Sequence, residues 1–300
     1  MRRIRFGIST WSTPELAQTG FYPRDARSAA DRLRYYASKF SVAEVDSSYH
    51  FYPSVHNMEL WLGSTPDDFV FDVKAFSLLT GHPTALASLP KSIRDRYTDR
   101  IQAKGNVYPH HLPPEAIDEL WAVFGLVVDR FHRAGKLGAV LFQFPPWFHP
   151  EPDNYQYIED CCQRITHCHV AVEFRVGSWL AQHKEETLEF LRKRSISLVC
   201  VDEPQGFRSS VPPLAEATSD LAIIRFHGRN ADTWEKKGIP ADERLNYLYT
   251  EEELKEWVLR IKRLADTAEV HVVFKNKHLD FPIRNVTQMQ SLLEATNIKG

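Results

Sequence analysis

Short apolar runs alternate with longer amphipathic stretches along the whole chain, and there are eight such runs. Each run is rich in Val, Ile, Phe or Leu, as is typical of strands that are buried on both faces of a sheet. The predicted strands cover residues 4–10, 42–46, 69–74, 138–144, 169–175, 197–202, 221–227 and 270–276. Helical spacing of apolar residues predicts helices over 29–40, 55–62, 116–134, 154–165, 184–194 and 251–265, with a last helix after Asn285.

The regular alternation of strand and helix predicts an α/β fold with a parallel sheet. Eight such units in 300 residues favour a (β/α)8 TIM barrel over an open doubly wound sheet, because about 250 residues are typical of these barrels. The sixth unit is the weakest, since residues 209–220 (SSVPPLAEATSD) show little helical periodicity. No linker or charge block marks a boundary, so we predict a single domain over residues 1–300, with a long insertion after the third strand at about 76–115.

The composition, with 43% hydrophobic and 25% charged residues, is that of a globular chain and excludes disordered and fibrous classes. The formal net charge of -2 argues against an extended surface for duplex nucleic acid or anionic membrane. No apolar run approaches the roughly 20 residues of a membrane span, so we expect a cytoplasmic protein with no membrane partner. The four cysteines lack the paired spacing of a disulfide framework or a zinc site and are expected to be reduced thiols.

Charged and polar side chains are concentrated at the C-terminal ends of the predicted strands. In the segment HVAVEFRVGSW (169–179), Glu173 and Arg175 lie two residues apart on one face of an otherwise apolar strand. Burying a lone charge is costly. Because the strand ends of a barrel converge on one mouth, opposite charges from different strands would compensate one another there. The other strands contribute Glu44, Asp46, Asp72, Lys74, Gln143, Asp202, Arg225, His227, Lys275 and Asn276 at their ends.

This set of residues predicts a functional pocket, although a structural ion-pair network that closes the barrel would give the same pattern. The catalytic candidates are Glu173, His227, Asp46 and Lys74. Glu173 is the preferred acid/base, and His227 is the second choice because an imidazole titrates near neutral pH. Arg175 or Arg225 would orient Glu173 or hold an anion. Glu44, Gln143, Lys275 and Asn276 are further candidates for ligand binding.

The loops that follow the strands add aromatic and basic residues to the same face. Trp11, Tyr49 and Trp179 are expected to contact the ligand, unless they are core residues beneath long connections. The middle of the long insertion, residues 91–104 (KSIRDRYTDRIQAK), carries five lysines and arginines against two aspartates. It is either a solvated helical face or an anion-collecting lid, through which nucleic acid would bind. A second basic loop, 227–240 (HGRNADTWEKKGIP), follows the seventh strand, near where barrels often hold phosphate.

Several longer segments together resemble the YecE-like family, also called domain of unknown function 72, which is placed with sugar-isomerase-like barrels. They include GISTWS, LRYYASKFSVAEVDSSYHFYPS, TPDDFVFDVKA, LGAVLFQFPPWF, VAVEFRVGSW, RFHGRN and VVFKN, and they span nearly the whole chain. The resemblance implies a (β/α)8 barrel with a pocket and no established reaction. The family's pattern falls on Trp11, Glu44, Tyr49, Lys74, His82, Gln143, Glu173, Arg175, Trp179, Arg225, His227 and Asn276. Asp46 and Lys275 depart from it, since asparagine is usual at both positions.

The favoured function is an enzyme that acts by acid/base chemistry on a small anionic substrate, which is sugar-, phosphate- or nucleotide-like, as a hydrolase, lyase or isomerase. The alternative is a non-catalytic module that binds single-stranded nucleic acid or a nucleotide. We expect no cofactor. A metal-dependent enzyme is the less favoured alternative, because Lys74, Arg175, Arg225 and Lys275 would repel a divalent cation and His227 is the only strand-end histidine. The sequence leaves the oligomeric state open.

Overall fold

Eight parallel strands form a nearly closed barrel in the computed structural model, which describes residues 2–101, 103 and 105–297. The strands are β1 (Ile4–Ile8), β2 (Val42–Val45), β3 (Val70–Lys74), β4 (Leu137–Gln143), β5 (Val170–Glu173), β6 (Ser197–Asp202), β7 (Leu221–Phe226) and β8 (Glu269–Phe274). Hydrogen-bonded neighbours follow the order β1-β8-β7-β6-β5-β4-β3-β2. The predicted α/β barrel and all eight of its strands are therefore confirmed.

The barrel closes between β1 and β2 without a continuous ladder. The Tyr36 hydroxyl bridges the two strands, because it accepts a hydrogen bond from the Ile8 amide (2.8 Å) and donates one to the Val42 carbonyl (2.9 Å). Gly7 makes this close approach feasible, since a Cβ atom at this position would lie 1.9 Å from the Val42 carbonyl oxygen. A side chain at position 7 would push the two strands apart.

In the described part of the chain, seven helices of nine or more residues surround the barrel: α1 (Ala29–Ala37), α2 (Val55–Gly63), α3 (Pro114–Arg133), α4 (Pro152–Arg164), α5 (Lys184–Lys193), α6 (Glu251–Thr267) and α7 (Phe281–Asn297). The start of α6 is fixed by a capping box, in which the side chains of Thr250 and Glu253 each bond the backbone of the other. Its apolar stripe, which includes Leu254, Trp257 and Ile261, is buried against the barrel. Residues 203–220 contain no helix, so the sixth unit lacks the covering helix that its sequence also failed to predict.

The long insertion between β3 and α3 contains a small antiparallel hairpin, Thr84–Ala85 with Asn106–Val107, and a short helix, Lys91–Tyr97. The short helix contacts α3, and its Ile93 side chain is buried. Of the basic residues noted in this segment, Lys104 lies outside the described residues. No helix in the described part of the chain is long and apolar enough to cross a membrane.

Two pairs of charged side chains lie below the mouth of the barrel. His271 of β8 contacts the Asp72 carboxylate at 2.9 Å, and the Arg5 guanidinium bonds the carboxylate of Glu269. Asp72 precedes Lys74 on β3, and His271 of β8 precedes Lys275, which directly follows that strand. Asp72 and His271 therefore lie deeper in the barrel. The prediction that Asp72 reaches the mouth is wrong, because its partner is the buried imidazole of His271.

Candidate functional site

A cavity of about 680 Å³ opens at the C-terminal ends of the strands. The described residues that line it include eight lysine and arginine side chains and two carboxylates, Asp46 and Glu235. The cations are Lys74, Arg175, Arg208, Lys236, Lys237, Arg244, Lys275 and Lys277. The basic loop after β7 supplies Lys236 and Lys237 to this wall, and Arg244 comes from the short helix that follows it, Ala241–Arg244. Low-dielectric walls that carry charge of one sign concentrate the electric field in a cleft, so this cavity favours an anion.

Beneath the cavity, Arg225 of β7 is fully buried between two carboxylates that are also buried. Its Nη2 donates to Glu44 at 2.7 Å, and its Nη1 bonds Glu173 and also donates to Gln143 at 3.2 Å. Burial opposes ionisation of Glu173, but Arg225, followed by His227, holds the pKa of its carboxyl well below the ordinary value. Glu173 is therefore ionised at physiological pH and cannot donate a proton there.

Glu173 also contacts His227 and Arg175, which both line the cavity. Its Oε1 accepts hydrogen bonds from Nε2 of His227 and from Nη1 of Arg175, each at 3.2 Å. Burial lowers the pKa of His227 to about 3, which makes the imidazole neutral at physiological pH. Because a carboxylate only accepts hydrogen bonds, this contact favours the proton on Nε2 and the lone pair on Nδ1. Nη1 of Arg175 also lies 3.4 Å from Nε2, but its two N–H groups have shorter contacts with Glu173 and Glu203.

Three lysines converge on one aspartate at the side of the cavity. Asp46 accepts hydrogen bonds from Lys74 (3.2 Å), Lys275 (2.9 Å) and Lys277 (2.5 Å). Although burial opposes ionisation, these lysines, led by Lys275, hold the pKa of Asp46 well below its ordinary value. Burial and then Arg225 lower the pKa of Lys275 to about 7. Lys275 therefore exchanges its proton in the physiological range, unlike an ordinary lysine.

Aromatic rings form two walls around these charges. On one side, the Lys74 ammonium lies 4.1 Å from the centre of the Tyr49 ring, which contacts His82 edge-on at 5.3 Å. His82 in turn contacts Trp147, which is 52% exposed at the rim. On the other side, the Arg175 guanidinium lies 4.6 Å from the centre of the Trp234 ring. The cavity thus offers flat apolar surfaces next to its cations.

The structure does not bring Trp11, Trp179 or Asn276 into the cavity. Trp11 packs edge-on against Trp61 in the core, and Trp179 is fully buried with its Nε1 donating to the Phe148 carbonyl at 2.6 Å. The Asn276 amide donates to the Tyr247 carbonyl at 2.8 Å and to the Asn285 side chain at 2.9 Å. These contacts hold the strand ends and loops together.

Asp202 also faces away from the mouth, which corrects its predicted position. Its carboxylate accepts hydrogen bonds from Nε1 of Trp257 (2.6 Å), the Tyr249 hydroxyl (2.8 Å) and Arg229 (2.7 Å), so it fastens β6 to α6 and to the loop after β7. The next residue, Glu203, takes the inward position. The sequence interpretation overlooked Glu203, although a second carboxylate directly after a strand end was the available signal.

Glu203 is buried and links the cavity to the helix-free sixth unit. Its Oε2 accepts a hydrogen bond from Arg175 at 2.9 Å, and its Oε1 accepts one from the Val211 amide at 2.8 Å. Burial raises the pKa of this carboxyl to about 7, against the opposing effect of Arg175. Glu203 therefore ionises near neutral pH, and its ionisation changes the number of carboxylates that compensate Arg175.

The basic segment 91–104 lies outside the cavity lining, as far as its described residues show. Arg96 bonds Glu119 and Arg100 bonds Glu115, so two of its cations pair with α3. In the described part of the chain, no group of three or more His, Cys, Asp or Glu side chains has an arrangement that could hold a metal ion.

Comparisons with known proteins agree with this architecture. Residues 5–299 match the family described as "Protein of unknown function DUF72". The chain is 30% identical over 298 residues to the UPF0759 protein YunF of Bacillus subtilis (strain 168), covering 97% of this chain and 95% of the relative.

Two solved structures of the same family have a similar fold over almost their entire length. A DUF72 protein from Enterococcus faecalis V583 superposes with a TM-score of 0.76 at 25% identity, covering 97% of this chain and 95% of that chain. A DUF72 protein from Thermotoga maritima MSB8 gives a TM-score of 0.74 at 28% identity, covering 98% and 100% of the two chains. The sequence match and these structures together establish that the chain belongs to the DUF72, or YecE-like, family.

Proposed function

We propose that the protein is an enzyme that binds a small anionic substrate in the cavity and acts on it by acid/base chemistry. The observation that carries this proposal is the excess of basic side chains around a neutral, buried histidine. Eight lysines and arginines line the cavity against two carboxylates in the lining and three more, Glu44, Glu173 and Glu203, buried beneath it. A structural network would balance its charges, whereas this cavity keeps an excess of positive charge that a bound anion would neutralise. The substrate class is a phosphorylated or carboxylated compound with a sugar-like or nucleotide-like ring.

In this proposal His227 is the base and Glu173 is the residue that positions it. Glu173 is enclosed by Arg225, Arg175 and His227 and has no exposed surface, so it does not reach a substrate atom. It holds the proton on Nε2 of His227 and directs the basic Nδ1 elsewhere in the cavity, as the carboxylate does in other carboxylate–histidine pairs. A bound anion would offset Arg175 and raise the pKa of His227, which makes the imidazole a better base when substrate is present.

Lys74 and Lys277 would hold the anionic group, with Asp46 fixing their positions through its hydrogen bonds. Trp147 and Trp234 would contact the ring of the substrate. No observation on the described residues favours the nucleic-acid alternative, because the basic insertion does not line the cavity and two of its arginines are paired.

The experiment is isothermal titration with inorganic phosphate, followed by a panel of sugar phosphates and nucleoside monophosphates. We expect saturable binding that weakens with added salt, and Lys277→Ala should weaken phosphate binding by about tenfold, which corresponds to about 1.4 kcal/mol. Lys255→Ala is the matched control, since Lys255 is exposed on α6 and pairs with Glu251 outside the cavity. Absence of binding, or equal effects of the two substitutions, would remove the proposal.

A further inference from the structure

Lys275 has an unusual electrostatic environment among the lysines of the cavity. Its Nζ contacts Glu44 at 3.3 Å and Asp46 at 2.9 Å, but both carboxylates already have other cationic partners. Arg225 bonds Glu44, while Lys74 and Lys277 bond Asp46. Arg225 also bonds Glu173. Four cations therefore share three carboxylates at this place, and the ammonium form of Lys275 is only partly compensated.

The two neighbouring lysines have surroundings that Lys275 lacks. Lys74 lies over the face of the Tyr49 ring, which attracts a cation. The side chain of Lys277 is 19% exposed, compared with 8% for Lys275, so water solvates it better. Lys275 instead lies next to the fully buried Arg225, which repels its charge and, with burial, lowers its pKa to about 7. A large fraction of Lys275 therefore carries a free amine at neutral pH.

We infer that Lys275 is a nucleophile that forms an imine with the carbonyl carbon of a phosphorylated aldehyde or ketone. The inference rests on the proposed function and specifies its substrate class. The Nζ lone pair attacks the carbonyl carbon, and the proton from nitrogen passes to the resulting alkoxide to give a carbinolamine. The carbinolamine then expels hydroxide, which takes a proton from solvent to become water, and an iminium ion remains.

The surrounding residues suit both parts of such a substrate. Lys74 and Lys277 are fixed cations beside Lys275 that would hold the phosphate while the amine attacks the carbonyl. An iminium ion withdraws electrons and acidifies the adjacent C–H bond, and the neutral His227 lines the same cavity as a base for that proton. The charge deficit at Lys275 and the base role of His227 thus belong to one reaction.

The test is reductive trapping of the wild-type protein at pH 7 with sodium cyanoborohydride and glyceraldehyde 3-phosphate. The reductant adds hydride to the iminium carbon and leaves a stable secondary amine. We expect a single adduct by intact mass, located on Lys275 by peptide mapping, and formed at least about tenfold faster than with glyceraldehyde because the phosphate binds first. Excess inorganic phosphate should suppress the adduct.

Lys275→Arg places a guanidinium at this position and removes the nucleophile, so it should lose the adduct while still binding inorganic phosphate in the titration. Lys255→Arg, on the exposed surface of α6, should label as the wild type does. Labelling spread over exposed lysines, or unchanged labelling of Lys275→Arg, overturns the inference. If phosphate binds but Lys275 is never labelled, the inference alone fails, whereas a lack of phosphate binding overturns the proposed function as well. Peptide mapping of the wild type decides the outcome even if the variant fails to fold.

Discussion

Nε2 of His227 lies 3.2 Å from Oε1 of Glu173, a carboxylate whose side chain has no exposed surface. The same carboxylate bonds Arg225 beneath it and Arg175 beside it. Glu173 is thus placed to position a histidine and to compensate two guanidinium groups, while the histidine reaches the cavity. Glu173 therefore has the main effect on stability, and His227 has the chemical role in the proposed reaction.

Glu173→Gln is expected to lower the free energy of unfolding by about 3 kcal/mol or more. The amide keeps the shape of the side chain but removes the negative charge that compensates the buried Arg225. It also directs an NH2 donor toward the N–H donors of the neighbouring arginines and histidine. His227→Gln should cost only about 1 kcal/mol, because it removes one hydrogen bond. Urea unfolding monitored by circular dichroism measures both values, and an equal cost for the two substitutions would contradict the assignment.

The buried pair of His271 and Asp72 gives stability a specific dependence on alkaline pH. Burial would lower the pKa of His271, but Asp72 and Glu269 raise it to about 9. A histidine whose folded pKa is raised contributes fully below its unfolded value of about 6.5, and the contribution is lost as pH rises through about 9. We expect His271→Gln to remove a contribution of about 2–3 kcal/mol that wild type has at pH 6 and lacks at pH 10.

The variant is needed because Lys275 has the opposite dependence on pH. Its lowered pKa of about 7 means that the folded state releases this proton before the unfolded state does, so stability rises with pH above that value. The measurement is the difference in unfolding free energy between wild type and His271→Gln at each pH. A difference that stays constant from pH 6 to pH 10 would show that His271 is not protonated in the folded state.

The contact between Gly7 and Val42 predicts a strong effect of a small substitution. Gly7→Ala would place a Cβ atom 1.9 Å from the Val42 carbonyl oxygen, so β1 and β2 must separate where Tyr36 bridges them. We expect a loss of about 3 kcal/mol or more in the free energy of unfolding. Gly125→Ala on α3 is the control, because a Cβ there meets no atom within 4 Å, and it should stabilise the helix by about 0.5–1 kcal/mol.

The strands and helices could be predicted from the sequence, because each follows from local periodicity and the barrel follows from their alternation. The depth at which each charged side chain lies in the barrel could not be predicted from the sequence. Asp72 and Lys74 share a strand face, as the two-residue spacing requires, but of these two only Lys74 lines the cavity. The spacing determines the face of each side chain, but it does not determine how deep in the barrel its partner lies, and Asp72 contacts His271 below the cavity. Whether His271 lies opposite Asp72 depends on the stagger of strands far apart in sequence.

The positions of Asp202 and Glu203 show a second limit. Adjacent strand residues point to opposite faces, so an error of one residue in orientation exchanges the inner and outer carboxylate. Asp202 was predicted to lie at the mouth, but Trp257 and Tyr249, about 50 residues later in the chain, donate hydrogen bonds to it from outside the barrel. Partner side chains from distant elements decide such orientations, and a single sequence does not record them.

Glu203 and Lys275 together predict that the cavity binds anions more weakly as pH rises. Above a pH of about 7, Glu203 gains a negative charge beside Arg175 and Lys275 loses its positive charge. We expect the affinity for sulfate, which does not titrate in this range, to fall by about tenfold between pH 6 and pH 8. Glu203→Gln should reduce this fall, since it leaves only the change at Lys275. Calorimetric titration measures the affinities, and a pH-independent affinity for wild type would refute the coupling.

Two tryptophans that look alike in the sequence should respond in opposite ways to truncation. Trp179 is fully buried and stacks on Phe174 with the ring centres 4.2 Å apart, so Trp179→Ala should cost about 3–5 kcal/mol of stability. Trp147 is 52% exposed at the cavity rim, and Trp147→Ala should cost less than about 1 kcal/mol. Because its ring is available to a ligand, the same change should weaken binding of sugar phosphates about fivefold, the equivalent of about 1 kcal/mol of stacking, and leave phosphate binding unchanged. Thermal unfolding and calorimetry separate the two effects, and a loss of phosphate affinity in Trp147→Ala would mean that Trp147 shapes the cation cluster instead of contacting the ring.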